Sequence, residues 1–478
     1  MTPDQASAEA RRIFELQRAA SRREPPADAP LRRNRLQRLR RVVQANSVRI
    51  IDAISADFGN RSAVETELLE LVPLLNSIQY ADKHVARWMK PERRRVDWMF
   101  QPARAWVRHE PLGVIGIISP WNYPLLLALS PLVDAFAAGN RAMLKPSELT
   151  PRFSALLAEI ISAGFEESEA AVVPGGVELG QAFAALPFDH LLFTGSTEIG
   201  RKVYQAAAAN MTPVTLELGG KSPALVCPGY SLEKAARSIA FGKFVNAGQT
   251  CIAPDYALVP EDRVEEFASA VLERSRRSYP RIDDNADYSA IISERHHERL
   301  TNAIEEARKA GATVMTREEQ ADAGERRIGP TLVIGAPAGS SLMREEIFGP
   351  VLPVIGYRDM DEALAFIARR ERPLALYCFS NNASEQETIL ARALSGGATL
   401  NGTLLHVAQD SLPFGGVGLS GIGAYHGREG FRRFSHARAV HKVGFINLFE
   451  RIGPPWNGAA ARAMLPRLRR MAGLGRGK

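Results

Sequence analysis

The chain has 478 residues, 45% of them hydrophobic and 24% charged, an ordinary globular composition with length for two or three domains. Its three cysteines, Cys227, Cys251 and Cys378, exclude a disulfide framework, and no Cys/His spacing suits a metal; a reducing, cytoplasmic setting without a bound metal is expected. The net charge of +7 comes almost wholly from Arg462, Arg467, Arg469, Arg470, Arg476 and Lys478, which leave +1 for the remainder and no basic face for nucleic acid.

Residues 1–10 lack the apolar core of a secretory signal. Apolar residues recur at three- and four-residue intervals over 8–90 and predict helices, with a break at Asp57-Phe58-Gly59-Asn60. The arginine-rich run 32–41 has leucines spaced three apart and is the solvated face of one of these helices. Pro91 to Arg95 is a polar connector, and 105–110 alternates like an exposed strand. Pro111 to Val133 carries no charge, but Pro120, Pro124 and Pro131 rule out a membrane span. It divides into a buried strand 114–118, a loop 119–124 and a helix ending near Gly139.

A strand–helix rhythm follows. Strands are expected at 142–145, 171–173, 190–194 and 213–218, with helices from Pro146 to about Gly164, over 178–185, and from Gly195 to about Ala209. This alternation predicts a parallel, doubly wound, Rossmann-like sheet whose ligand lies at the carboxyl ends of its strands. A second α/β unit covers about 220–410, with helices near 231–245, 262–276 and 294–310 and a strand–helix pair at 374–394. Residues 412–430 are glycine-rich, and the basic tail reads as loosely ordered.

Few residues carry chemistry on their own segments. Cys251 sits in a small polar stretch, Asn246 to Pro254, where a loop thiol can be a nucleophile or an inert packing group. Gly195-Ser196-Thr197-Glu198-Ile199-Gly200 joins a strand to a helix whose N-terminus suits a pyrophosphate, without meeting the Gly-x-Gly-x-x-Gly fingerprint. Lys145 and Glu148 lie three apart across a turn and suit ribose hydroxyls, or form only a helix-start contact. Glu217 is an acid in an apolar strand end before two glycines, either a base raised by burial or a paired structural acid. Cys227 and Cys378 lie in apolar strands and read as packing residues.

Six motifs, in order, resemble the aldehyde dehydrogenase superfamily. They are Pro120-Trp121-Asn122-Tyr123-Pro124, Leu144-Lys145-Pro146-Ser147-Glu148, Phe193 to Gly200, Leu216-Glu217-Leu218-Gly219-Gly220-Lys221-Ser222-Pro223, Gly248-Gln249-Thr250-Cys251, and Glu345-Glu346-Ile347-Phe348-Gly349-Pro350. Cys251 to Tyr256, Asn401 to His406 and Pro413 to His436 are similar to the class 3 branch. Asp57 to Ser62 and Ala142 to Pro151 further resemble its bacterial coniferyl aldehyde dehydrogenases.

The resemblance implies three parts: a cofactor domain (1–93 and 111–218), a catalytic domain (219–412) and a small β bridging or oligomerisation arm (94–110 and 413–447), followed by the tail 448–478. It implies Cys251 as nucleophile and Asn122, with the Cys251 backbone N–H, as oxyanion donor. A positive field or a base would have to help the thiol. Glu217, 34 residues before Cys251, is the base that hydrolyses the thioester. Lys145 and Glu148 would hold the adenosine ribose, Gly195, Ser196 and Gly200 the pyrophosphate turn, and Glu346 and Phe348 the nicotinamide ribose and ring, with Trp121 and Leu218 beside them. NAD is expected, with NADP possible because Glu148 only disfavours a 2′-phosphate.

The expected reaction is oxidation of a hydrophobic, coniferyl-type aldehyde to the acid, in a pocket that Trp121, Tyr123, Tyr256 and Phe414 would line. Transfer of the thioester to coenzyme A is the nearest alternative, and a non-catalytic scaffold or nucleic-acid-binding protein of the same fold a more distant one. A homodimer through residues 94–110 and the strand near 436–443 is implied. The tail can touch a membrane at most peripherally.

Overall fold

The computed structural model describes residues 2–283, 285–316, 326–454 and 456–473. The N-terminal helices begin and end where the sequence places caps. Thr2 and Gln5 form a capping box on Pro3–Arg23, Asp28 caps Ala29–Ala45, and Gly59 at φ 84° ends Ser47–Phe58. Ala29–Ala45 packs on the helix Pro124–Ala138, whose Leu125, Ala128, Leu129, Leu132 and Phe136 are wholly buried, while Pro3–Arg23 lies against Val177–Ala184 and Ser47–Phe58 against Pro151–Gly164. The uncharged stretch thus runs from the buried strand Val114–Ile118 into the enclosed helix Pro124–Ala138, which extends past it. Its one acid, the buried Asp134, accepts from the backbone N–H of His426 at 3.1 Å.

Among the described residues the strands form three sheets. The first has the order Gly421–Ile422, Val214–Leu218, His190–Gly195, Val114–Ile118, Arg141–Lys145, Ala170–Val172. All neighbours are parallel except the antiparallel Gly421–Ile422. Its four central strands are buried almost throughout, as continuous apolar runs covered on both faces should be. The chain builds outward from Val114–Ile118 to Ala170–Val172, then crosses to the other side at His190–Gly195. The order thus reverses between Ile118 and Gly195, and a crevice opens beyond those two strand ends.

The second sheet has the order Thr313–Met315, Thr331–Ile334, Val351–Tyr357, Tyr256–Pro260, Pro223–Val226, Ala375–Phe379, Gly397–Leu400. It is parallel except for its first pair. The third is a small antiparallel sheet of Glu92–Arg94, Arg104–Pro111 and Ser435–Lys442, half exposed along its length.

Four local expectations are corrected. Glu92–Arg94 is a strand rather than a connector, because its backbone completes the edge beside Arg104–Pro111. Pro146 to Thr150 forms a turn, and the helix begins at Pro151, whose missing N–H is harmless in a first turn. Gly421–Ile422 leaves the small arm to pair with Leu216 and Glu217. The tail is not structureless: it forms the helices Leu448–Ile452 and Ala459–Met471, the latter burying only Ala461. No helix of the described residues is long and apolar enough to cross a membrane.

Candidate active site

Cys251 follows the helix Leu232–Phe244 through a tight turn at Val245–Gly248, in which Asn246 and Ala247 take φ near 50° and Gly248 75°. A Cβ at Gly248 would stand 2.2 Å from the Gly349 carbonyl, so a side chain is excluded there. Polar side chains hold the strained turn. Asn246 Nδ2 donates to the Asn122 carbonyl at 2.9 Å, and Gln249 Nε2 to that of Ala290 at 3.0 Å. Gln249 Oε1 accepts from Ile292 N–H at 3.0 Å, and the Tyr123 hydroxyl meets Thr250 Oγ1 at 2.7 Å.

The Cys251 thiol is only partly buried and reaches a cavity of about 580 Å³. Burial, then the carboxyls of Glu346 and Glu217, push its pKa up to about 12, while the backbone N–H groups of Cys251 and Ile252 favour the thiolate. Of the two aids expected, a positive field or a base, no cation is among the groups that act most strongly on it, and two carboxyls stand there instead. The resting side chain is therefore a thiol, which must lose its proton before it can attack a carbonyl.

Glu217 lies at the end of Val214–Leu218 and enters the same cavity. Neither carboxyl oxygen has a hydrogen-bond partner. Burial drives its pKa well above the ordinary value, opposed only by the charge of Arg433. Asn122 lies just beyond Val114–Ile118, and its Nδ2 donates to the Gln249 carbonyl at 3.2 Å. A thiol, a carboxamide donor and an uncommitted carboxyl thus meet in one cavity.

The cavity continues into a cleft of about 940 Å³ along the strand ends of the first sheet. Ser119, Gly195 and Ser196 line it at the point where the strand order reverses. Ser196 also caps the helix Thr197–Ala208, aiming that N-terminus at the cleft. Lys145 Nζ and Glu148 Oε2 pair at 2.7 Å on its floor. Burial raises the Glu148 pKa, but Lys145 outweighs it and the net shift is downward. A backbone-lined anion site beside a Lys–carboxylate pair fits a dinucleotide, with the pyrophosphate at Gly195-Ser196 and a ribose at Lys145 and Glu148.

Glu346, Phe348 and Leu218 line the cavity that holds Cys251, with Trp121 edge-on to Phe348 at 5.3 Å. The Glu346 carboxyl fills the space of the missing side chain at Gly219, where a Cβ would approach Oε2 to 1.8 Å. Burial, with Asp255 adding to it, pushes its pKa up to about 8, against the Gly220 N–H, Lys221 and Lys243.

Three sequence expectations do not reach the cavities. Gly200 faces inward, where a Cβ would meet Leu218 Cδ2 at 2.6 Å, so it permits close helix–strand packing instead of touching a ligand. Tyr256 is enclosed by Phe366 and the Arg370 guanidinium. Tyr123 backs the nucleophile loop rather than lining the pocket, whereas Trp121 and Phe414 do line it. Sequence reasoning missed Arg295, His296 and Arg299, which border both cavities from the start of the helix Glu294–Lys309. Arg299 anchors the Glu346 segment by donating to the Ile347 carbonyl at 2.5 Å. The run Glu294-Arg295-His296-His297 carries no motif that distinguishes it from any solvated helix start. Among the described residues no group of three or more His, Cys, Asp or Glu side chains is placed to hold a metal ion.

The chain matches the aldehyde dehydrogenase family over residues 2–440 and belongs to it. It is an oxidoreductase acting on aldehydes. A probable coniferyl aldehyde dehydrogenase of Pseudomonas aeruginosa is 51% identical over 444 residues, 93% of each chain. Among solved structures, the substrate-bound state of Staphylococcus aureus AldH superposes with a TM-score of 0.90 at 36% identity, over 96% of this chain and 99% of that one. The NAD+ complex of an aldehyde dehydrogenase from Bacillus cereus gives 0.83 at 25% identity, over 92% and 89%.

Proposed function

We propose that this chain is a hydrolytic, NAD-dependent dehydrogenase of aromatic, coniferyl-type aldehydes. The observation that carries the reading is the convergence of Cys251, Asn122 and Glu217 on a cavity continuous with the Lys145–Glu148 cleft. NAD, when bound, supplies the hydride acceptor. The thiol of Cys251 gives its proton to water in the cavity and its sulfur bonds to the aldehyde carbon as the carbonyl π bond breaks, while the Asn122 amide and the Cys251 N–H hold the charge that develops on oxygen. Once the thioester has formed, Glu217 takes a proton from the water that cleaves it. A carboxyl without any hydrogen-bond partner suits this step, because no existing contact competes with the water.

Trp121, Leu127, Phe348 and Phe414 give the pocket apolar walls that suit a planar ring, and the Pseudomonas aeruginosa relative is named for a coniferyl substrate. Glu148 disfavours a 2′-phosphate, so NAD is preferred to NADP. The strand Ser435–Lys442 pairs on one edge only, which supports a homodimer through the small sheet. Three free thiols support a cytoplasmic site of action. The test is reduction of NAD and of NADP against coniferyl, benzyl and long-chain aldehydes, with and without coenzyme A. Turnover of the aromatic aldehydes with NAD, independent of coenzyme A, is expected. Failure to turn over any of them with folded protein and an intact Cys251 thiol would overturn the reading.

A further inference from the structure

Behind the oxyanion loop lies an ionic cluster that the chemistry above does not use. Arg61 is a wholly buried guanidinium. Its Nη1 donates to Glu70 Oε1 at 2.8 Å and to the backbone carbonyl of Asn122 at 3.2 Å. Its plane lies over the rings of Tyr123, at 4.8 Å, and Phe58, at 5.2 Å. Glu70, equally buried, turns its other oxygen to the first N–H groups of the helix Pro124–Ala138, accepting from Leu125 at 2.8 Å and Leu126 at 3.1 Å. Glu65 stands 3.6 Å from Arg61 Nε, and its carboxylate accepts from the backbone N–H of Asn246.

The cluster therefore touches the main chain at Asn122, at Leu125 and Leu126, and at Asn246. Those contacts flank the carboxamide donor and the turn that precedes Cys251. Asn246 Nδ2 donates to the same Asn122 carbonyl, so Arg61 and Asn246 hold one backbone oxygen between them. Stability does not account for this arrangement. Removing two charges from water offsets most of what their pairing returns, and an apolar replacement of the pair is often neutral. What an arginine adds is a rigid, planar donor: Nη1 alone bridges Glu70 and the Asn122 carbonyl, while Nε and Nη2 have no hydrogen-bond partner. An oxyanion donor requires such fixing, because a displacement of ~1 Å at a reacting centre lowers the rate about 100-fold.

We infer that Arg61, set by Glu70 and Glu65, is a positioning residue of the reaction, fixing the Asn122 carboxamide and the nucleophile turn in one register. The inference rests on Asn122 as the oxyanion donor. The mature site thus reaches back to the loop and helix that follow the third N-terminal helix.

The test is a double-mutant cycle read in the burst of reduced nicotinamide per titrated active site. Arg61→Lys keeps the buried charge and loses the fixed, planar Nη1 donor that bridges Glu70 and Asn122. It is expected to slow the burst about 10- to 100-fold. In an Asn122→Ala background it should slow it less than about threefold further, since the group being positioned is gone. NAD affinity, read by fluorescence quenching, stays unchanged in both backgrounds. Glu70→Gln, which retains an acceptor for Leu125 and Leu126, carries the same cycle and is read the same way should Arg61→Lys give no soluble protein. A purely structural cluster would lower the titre of active sites while leaving the burst rate per site unaltered, and that result overturns the inference. Equal slowing in both backgrounds also overturns it. An Asn122→Ala burst equal to wild type would instead remove Asn122 as the donor, which separates failure of that assignment from failure of the positioning role.

Discussion

Replacing Glu217 by glutamine separates the two halves of the proposed reaction. Each Glu217 oxygen lacks a protein partner, so the amide forfeits no hydrogen bond and the pocket keeps its shape. The change then falls on the hydrolytic step alone. A positioned general base contributes roughly 10²- to 10⁴-fold, so kcat should fall by that factor, ~3–5 kcal/mol in the barrier. The hydride burst should persist at one equivalent per site, because it precedes hydrolysis. Stability supplies an independent check. Burial raises the folded-state pKa of this acid, so the folded protein holds the proton more tightly than the unfolded chain. Stability from that source is fully present below the ordinary carboxyl value and is lost as pH rises through the folded value. Glutamine has no proton to lose, so the variant should match wild type in acid and melt at a higher temperature than wild type as the pH rises. Stopped-flow absorbance and thermal unfolding across pH measure both. Undiminished turnover, or loss of the burst together with turnover, would refute the assignment of Glu217 to hydrolysis.

Glu346→Gln follows the same sign with a definite size. Its carboxyl rises from an ordinary value of 4.5 to about 8, equivalent to ~5 kcal/mol of preference for the proton in the folded state. The variant should gain stability over wild type by up to that amount as pH climbs through about 8, and none in acid; a difference constant with pH would contradict this. Gly219→Ala places a methyl 1.8 Å from Glu346 Oε2, so Glu346 must leave its seat, and weaker NAD binding by calorimetry is expected. Alkylation of the native protein should label Cys251 alone, slowly at neutral pH and faster in alkali, because its pKa is about 12 while Cys227 and Cys378 are 1% and 0% exposed. Peptide mass mapping reads the outcome. Removing residues 456–478 should leave kcat unchanged, since the helix Ala459–Met471 buries only Ala461.

That Cys251, Asn122 and Glu217 share one cavity was readable because short motifs mark the strand ends and turns that carry them. The alternating strands and helices were readable for a related reason. Each strand of the first sheet is a brief apolar run between helix caps, as at Val114–Ile118 and His190–Gly195. What escaped depends on partners distant in sequence. Glu92-Arg93-Arg94 has the composition of a connector and becomes a strand only beside Ala105 to Val107. Ala459–Met471 contains Pro466 and lacks a side-chain N-cap, so no local signal announced it. Arg295 and His296 reach the cavities because a helix of the second sheet's side is laid over the crevice of the first. The same holds for Gly200, whose glycine marks a helix–strand contact as readily as a phosphate turn. The thiol's raised pKa was not readable, because motif spacing brings Glu346 and Glu217 near Cys251 without showing how strongly burial and their charges disfavour the thiolate.

Asn122 and Glu217 stand at strand ends of the first sheet, whereas Cys251 and Glu346 belong to segments of the second. Neither half holds a functional fragment of the chemistry. A slight rotation of one sheet against the other would part the proposed nucleophile from both its proposed oxyanion donor and its proposed base in a single movement. The two halves are therefore tied together in their history. A substitution that tilts one is tolerated only when the other tilts with it, and grafting either half from a relative should fail unless the residues along their common border travel with it.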